Sequence, residues 1–464
     1  MNLNLNRAET TPLVRQIETA IINKINSGYL KINTRLPSIR SLSSLNQVSR
    51  FTVVQAYDRL VAEAYLTSIT GSGFYVKERK KKPSHYTVPD TNVAIDELWL
   101  VKNLLSNPYN NNSPGSGWLP NSWLDEYGIQ KALRHFSRKP ISQIGGYGDP
   151  LGFMPLRQVL QNRLSDIEVE TNSQQILLTA GATHGLNLII QAYIRPGDIV
   201  LVDNPGYFIL LGALKAAGAE VIGINRLADG PDIKQLESIL HTHQPSYYFI
   251  QSILHNPSAT SITTPKAYRL LQLAEKHNFK IIEDDINGDF HSRNLTRIAS
   301  LDQLKRTIFI SSFSKSLSSS IRVGYIAANE EVIQKLVDIK LLAGMTTPEL
   351  NERLIHFMLT EGSYRKYLSK LQDKLRRSTE TAIQQFESIG LNAFVYPEGG
   401  MFVWINFPED VVLIDMANHF KKQNLTLAPG QIFRTDQKVC SQMRFNIATL
   451  NKTLFNQLRD YLIL

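Results

Sequence analysis

Ser311-Ser-Phe-Ser-Lys315-Ser-Leu-Ser-Ser-Ser-Ile-Arg322-Val-Gly324 is the stretch on which the reading of the fold turns. The apolar run before it, Thr307–Ile310, predicts a buried strand, and a second apolar run, Ile321–Ala328, follows. Between them one lysine sits among small hydroxyl residues, with an arginine seven positions on. A lysine held at a strand end in a partly dry site loses its proton more readily and attacks carbonyls. Arg322 with the hydroxyls of Ser312 and Ser314 is a donor set for an oxyanion such as a phosphate. Lysine for an aldehyde and arginine for a phosphate together point to pyridoxal 5′-phosphate (PLP). A solvated Lys/Arg pair in a Ser-rich loop fits the same letters, so the surrounding chain has to decide.

Outward from this stretch, strand-like and helix-like runs alternate, which predicts an α/β fold. Seven strands are expected: 175–179, 199–203, 221–225, 247–251, 280–284, 307–310 and 323–327, in a mostly parallel sheet whose strand-end loops carry the chemistry. Gly181-Ala182-Thr183-His-Gly185 opens a helix with small residues, which lets backbone amides reach a phosphate. Asn204-Pro-Gly-Tyr207 places an aromatic where it can stack on a flat ring; core packing is the other reading. Asn256 lies in a His-Asn-Pro-Ser turn. Glu283-Asp284-Asp285 ends the most apolar strand, and a buried carboxylate there needs a cation. Arg444, in an apolar strand-like setting, is either paired structurally or awaits a carboxylate.

With 464 residues, two or three domains are expected. No run approaches the ~18 apolar residues of a membrane span, and the first seven residues lack an apolar signal core. The single cysteine, Cys440, excludes an internal disulfide and fits a reducing cytoplasm. No Cys/His cluster of zinc type is present, so no metal is expected. The charge is uneven. Residues 1–82 hold 13 Lys+Arg against 5 Asp+Glu; the whole chain has 50 against 41, so the other 382 residues carry 37 against 36. A basic head on a neutral body predicts a nucleic-acid partner.

The head reads as three short helices. Leu13, Ile17, Ile21 and Ile25 make one face between Pro12 and Gly28. Ile39, Leu42 and Leu45 are expected to point inward in the second helix. Ser49 caps the third, with Val53, Tyr57, Leu60 and Val61 as its apolar stripe and Thr52, Gln55 and Arg59 on the other face. A hairpin of 65–69 and 74–76 around Gly71-Ser-Gly73 completes a helix-turn-helix with a wing. Lys77–Lys82 reads as a basic tether or merely a solvated linker, and 93–106 as an apolar helix packed on the large domain or a neighbouring subunit.

The order and the words "LPSIRSL", "VSRFTVVQAYDRLVAEAYL" and "GSGFYV" resemble the GntR-type winged helix. That resemblance implies that Arg40, Ser49, Arg50, Thr52 and Gln55 face double-stranded operator DNA, with Gly71 and Gly73 in the wing. Ala64 stands where that family often has glycine, so a strained turn is expected. Residues 115–460, including Pro397-Glu-Gly-Gly-Met-Phe-Val-Trp404, resemble the class I aminotransferases of PLP fold type I. The resemblance implies an internal aldimine at Lys315, Asp284 on the ring nitrogen, Tyr207 stacked on the ring and Asn256 on the phenolic oxygen. It also implies phosphate held by Ala182, Thr183, Ser312 and Arg322, and Arg444 on an α-carboxylate. Tyr147 resembles a tyrosine that reaches the neighbouring subunit's phosphate, implying a homodimer. Two departures stand out: Ile286 and Asn287 occupy the positions of a tyrosine that normally bonds the phenolic oxygen, and Ser320 replaces a glycine.

Taken together, residues 1–76, a linker 77–115 and a domain 116–464 resemble the MocR-type regulators. The expected function is transcriptional regulation in which PLP, or an amine or amino acid joined to it as an external aldimine, biases the dimer. The alternatives are a working aminotransferase that carries a DNA-binding module and a scaffold that has lost the cofactor.

Overall fold

The computed structural model describes residues 1–7, 9, 11–78, 97–106, 113–140, 145–291 and 295–463. The chain forms two compact units, Met1–Asn92 and Val93–Leu464. The tether residues Arg79–Lys82 and the expected helix start at 93–96 lie outside the described residues.

The head packs α1 (Leu13–Asn26), α2 (Ile39–Asn46) and α3 (Arg50–Ala62) around Ile17, Ile21, Leu42, Val53, Tyr57 and Leu60, none of them exposed. Side-chain oxygens start both short helices: Ser38 Oγ accepts from the Ser41 amide and Ser49 Oγ from the Thr52 amide, at 3.2 and 3.0 Å. The wing is β1 (Leu66–Ile69) against β2 (Gly73–Val76), with Leu66 opposite Val76. Tyr57 locks the layers, donating to the Pro37 carbonyl at 2.8 Å and meeting the Phe74 ring edge-on. Leu45 corrects the expectation, because it is 54% exposed. Steps of three residues fall about 60° short of a full turn each, so a stripe drawn through 39, 42 and 45 rotates off the core. Ala64 has φ +58°, in the left-handed region. The Tyr65 amide reaches back to the Leu60 carbonyl, the six-residue closure that usually ends on glycine.

In the large unit, α4 (Glu97–Ser106) buries Trp99, Leu100 and Leu104 against Phe208, Trp404 and Phe433. Leu98 and Leu105, also expected to pack, lie on its open side. The central sheet consists of β3 (Ile176–Thr179), β4 (Ile199–Asn204), β5 (Glu220–Leu227), β6 (Gly230–Pro231), β7 (Tyr247–Ile250), β8 (Lys280–Asp284), β9 (Thr307–Ser312) and β10 (Gly324–Ala327). Their order is β3-β10-β9-β8-β7-β4-β5-β6, and every pairing is parallel except those of β10 and β6. The sheet therefore has eight strands rather than the seven expected. The eighth is a two-residue edge pairing containing proline, too short to leave a periodic signal and tolerated because an edge strand needs no second ladder. A second, wholly antiparallel sheet joins β11 (Asn392–Ala393), β12 (Phe402–Asn406), β13 (Ala428–Pro429) and β14 (Gln442–Asn446). Among the described residues no helix is long and apolar enough to cross a membrane.

Candidate functional site

Three consecutive carboxylates end β8, and the pleat separates them. Glu283 turns into the core, where it accepts from Ser252 Oγ and from the Ile298 and Ala299 amides at 2.8 and 2.7 Å. Asp285 pairs with Arg297 at 3.2 Å, and burial pushes its carboxyl up to about 7. Asp284 alone faces the other way. It is nearly buried, accepts from Gln251 Nε2 at 2.9 Å and from the Ile286 amide at 3.2 Å, and forms no ion pair among the described residues. Burial raises it to about 6, restrained first by the Gln251 and Ile286 bonds and then by the charge of Lys315.

Lys315 sits in the connection between β9 and β10. Its ammonium donates to the Gly117 carbonyl, and burial, then Arg444, lowers it to about 8, with Asp284 opposing and Arg322 adding to the fall. Arg444, mid-strand in β14, is 1% exposed. It donates to Asn256 Oδ1 at 2.7 Å and the Gly115 carbonyl at 2.5 Å, and lies between the Phe402 and Phe433 rings. Its Nε has no partner and no carboxylate pairs with it among the described residues; burial pulls it down to about 9. A buried guanidinium with neutral partners only is poorly compensated, and a ligand carboxylate supplies the missing charge.

The anion cup lies at the far end of this loop. Gly181, φ +87°, turns β3 into the helix Ala182–Tyr193, whose first turn has no side-chain cap. Arg322 lies across it, bonded to the Ala180 carbonyl at 2.8 Å and Ser314 Oγ at 3.1 Å. A Cβ on Gly181 would stand 2.7 Å from that guanidinium, so glycine is required for the approach. Ser312 is buried and its hydroxyl ties the loop together, meeting Val323 O at 3.0 Å and Ser314 Oγ at 2.9 Å. In this structure Ser314 is therefore the hydroxyl beside Arg322. Thr183 bonds the Tyr207 hydroxyl, which burial pushes upward.

The structure thus brings Lys315, Asp284, Asn256, Arg444, Tyr207, Ala182, Thr183, Ser312 and Arg322 into one region of the large unit. Tyr147 is not part of that network; it stands 84% exposed on the chain surface. Ile286 packs toward the core and Asn287 donates to the Leu254 carbonyl, its Oδ1 unpartnered, so neither replaces a tyrosine hydroxyl. Reading of the sequence missed Gln251, which grips Asp284 with its amide nitrogen and accepts from the Asn256 amide at 2.8 Å. It also missed 113–119 as a wall of the site, where Asn446 holds Ser116 and Trp118. Gln251 had one signal, its place at a strand's C-terminal end; the wall had none beyond its glycines.

These residues fit PLP. A depressed lysine, an unpaired buried aspartate, a neutral amide and an arginine-flanked helix N-terminus are the donors its aldehyde, ring nitrogen, phenolic oxygen and phosphate ask for. No cluster of His, Cys, Asp or Glu side chains among the described residues is arranged for a metal ion.

On the head, Arg40, Ser49 and Arg50 are exposed and Thr52 and Gln55 half-buried. Ser49 and Thr52 hydroxyls meet at 2.7 Å, so both serve the cap of α3 as well as its outer face. Gly71 and Gly73 both take positive φ in the wing, with Arg35 lying against Gly73.

A two-sheet α/β fold with a lysine in the β9–β10 connection defines the class of aminotransferase-like proteins. The pattern of the family "Aminotransferase class I and II" matches residues 126–462, nearly three quarters of the chain, and the chain belongs to that family. Residues 13–76 match "Bacterial regulatory proteins, gntR family", so the chain joins a GntR DNA-binding domain to an aminotransferase domain. It is similar to the uncharacterized HTH-type transcriptional regulator YisV of Bacillus subtilis, 24% identical over 96% of this chain and 94% of the relative. It is also similar to the HTH-type transcriptional regulator NorG of Staphylococcus aureus, 24% identical over 87% of this chain and 93% of that one. Among solved structures it resembles LysN, the α-aminoadipate aminotransferase of Thermus thermophilus complexed with N-(5′-phosphopyridoxyl)-L-leucine. The TM-score is 0.72 and the identity 23%, over 78% of this chain and 94% of that one. The kynurenine aminotransferase of Pyrococcus horikoshii gives the same TM-score at 22% identity over 82% and 95%.

Proposed function

We propose that this protein is a transcriptional regulator whose head binds operator duplex and whose body binds PLP and responds to an amine or amino acid. The carrying observation is the uncompensated trio Lys315, Asp284 and Arg444, buried in a chain that also holds a winged helix. Bound PLP supplies an aldehyde for an amine and a ring that withdraws electrons. Lys315, lowered to about 8, keeps a share of free amine near neutral pH for condensation with an aldehyde, with loss of water. Asp284 would pair its charge with a protonated ring nitrogen, and Gln251 fixes its orientation. Ala182, Thr183 and Arg322 would hold the phosphate, with Ser312 bracing the loop. Arg444 would take an effector carboxylate, and Asn256, whose Oδ1 accepts from that arginine at 2.7 Å, would keep its Nδ2 as a donor for the phenolic oxygen.

The regulator names of the relatives support this reading over a working enzyme, and so does the missing hydroxyl at Ile286 and Asn287. A homodimer suits it, since Tyr147 points away from its own chain and is free to reach a partner's phosphate. Operator binding is coupled to the ligand only if the ligand favours one arrangement of the dimer. The test is operator affinity and bending with and without PLP and a panel of amino acids; a ligand-dependent change is expected, and identical curves would sink the sensing role. Turnover of an amino acid with a keto acid would instead favour the aminotransferase reading, which the retained Lys315 and Asp284 keep chemically open.

A further inference from the structure

We propose that Phe51 is a base-reading residue whose ring meets the C5-methyl of a thymine in the operator's major groove; the inference rests on the DNA-binding reading above. Phe51 occupies the first turn of α3, between Arg50 and Thr52, and is 69% exposed. The opposite side of α3 carries the whole packing load, with Val53, Ala56, Tyr57 and Leu60 entirely buried. Phe51 is the one large apolar side chain of this helix left in water, although the head offers an aromatic contact of its own between Tyr57 and Phe74.

The neighbours define what such a ring can meet. Ser49 and Thr52 bond each other and pin the first turn, so the backbone that carries Phe51 is held in place. Gln55 follows four residues later on the same face, and Arg50 precedes. Asp58, seven residues on and exposed, would repel a phosphate, which confines close approach to the first turn and a half. Arg59, one residue further and half exposed, is tethered to the buried Glu18 at 3.3 Å, so part of its charge is already spent within the head. The face that enters a groove is therefore Arg50, Phe51 and Gln55: two hydrogen-bonding groups around one apolar ring. A major groove displays donors and acceptors on every base and only one apolar group, the thymine methyl. Gln55 is suited to adenine N6 and N7 and Arg50 to guanine or phosphate, so the thymine lies within a step of those bases.

The experiment uses the full chain and duplexes that it selects from a random pool. Each thymine of the selected half-site is replaced in turn by deoxyuridine, which removes the methyl and nothing else. Wild type is expected to lose about fourfold in affinity at one position, while Phe51→Ala binds the thymine and uracil duplexes alike. Phe51→Leu, which keeps an apolar side chain, is expected to retain part of the discrimination. A selected site without thymine overturns the assignment, as does a uracil penalty of the same size in Phe51→Ala. A chain that retains no duplex at all defeats the DNA-binding reading itself, and the methyl contact with it.

Discussion

The head and the body handle their charges in opposite ways. Arg40 and Arg50 stay in water, so folding the head costs them nothing and their partner can be any phosphate. Lys315, Asp284 and Arg444 are taken out of water without mutual ion pairs, and each is shifted toward neutrality. The contrast teaches where a small molecule has leverage. A ligand that completes the buried trio stabilises the body directly, whereas DNA acts on a head that is already satisfied.

The sharpest way to break this contrast is Lys315→Ala. Borohydride reduction of PLP-loaded protein is expected to leave a mass adduct on Lys315 in wild type and none in the variant, while operator affinity without effector stays within about twofold. Loss of DNA binding in that variant would show that head and body are not separable. Next in size is a pH effect on the ligand-free body. Lys315 is depressed from 10.5 to about 8, so the unfolded chain binds the extra proton between those values and stability rises with pH across that window. Lys315→Met removes the penalty; it should stabilise the body by roughly 3 kcal/mol below pH 8 and progressively less toward pH 10. Asp284 runs the other way, the folded state holding its proton up to about 6, so its share of stability falls between pH 4 and 6. Differential scanning calorimetry of both proteins across pH checks the two signs.

On the head, Arg50→Ala is expected to weaken duplex binding by about tenfold and to flatten its salt dependence, with the absorbance of the PLP-loaded body unchanged. Fluorescence anisotropy at several salt concentrations measures it. The smallest effect belongs to Ala64→Gly. Relief of the left-handed strain outweighs the added freedom of the unfolded chain, for a gain of about 0.5–1 kcal/mol in the head's unfolding free energy from denaturant titration and none in the body's.

What the sequence revealed follows from the range of its signals. The capped short helices of the head and the runs of β4, β7 and β8 are local patterns, and all were legible. Leu45 was misjudged because three-residue spacing only approximates a helical turn. The second sheet was seen in fragments, since β11 and β13 have two residues each and draw their register from distant partners. Asp284 and Arg444 stood out as charged residues in apolar strands, and Lys315 as the lone lysine of a serine-rich turn between two apolar runs. Gln251 and the carbonyls of Gly115 and Gly117 did not, because backbone oxygens leave no trace in side-chain identity.

Lys315 and Asp284 hang from the central sheet and Arg444 from the smaller one, with Asn256 bonded to that arginine from the central-sheet side. An amino acid held by its amine on one side and its carboxylate on the other would therefore be a strut between two plates. On the regulatory reading proposed above, an amine that lacks the carboxylate would engage one plate only and leave the two unlinked.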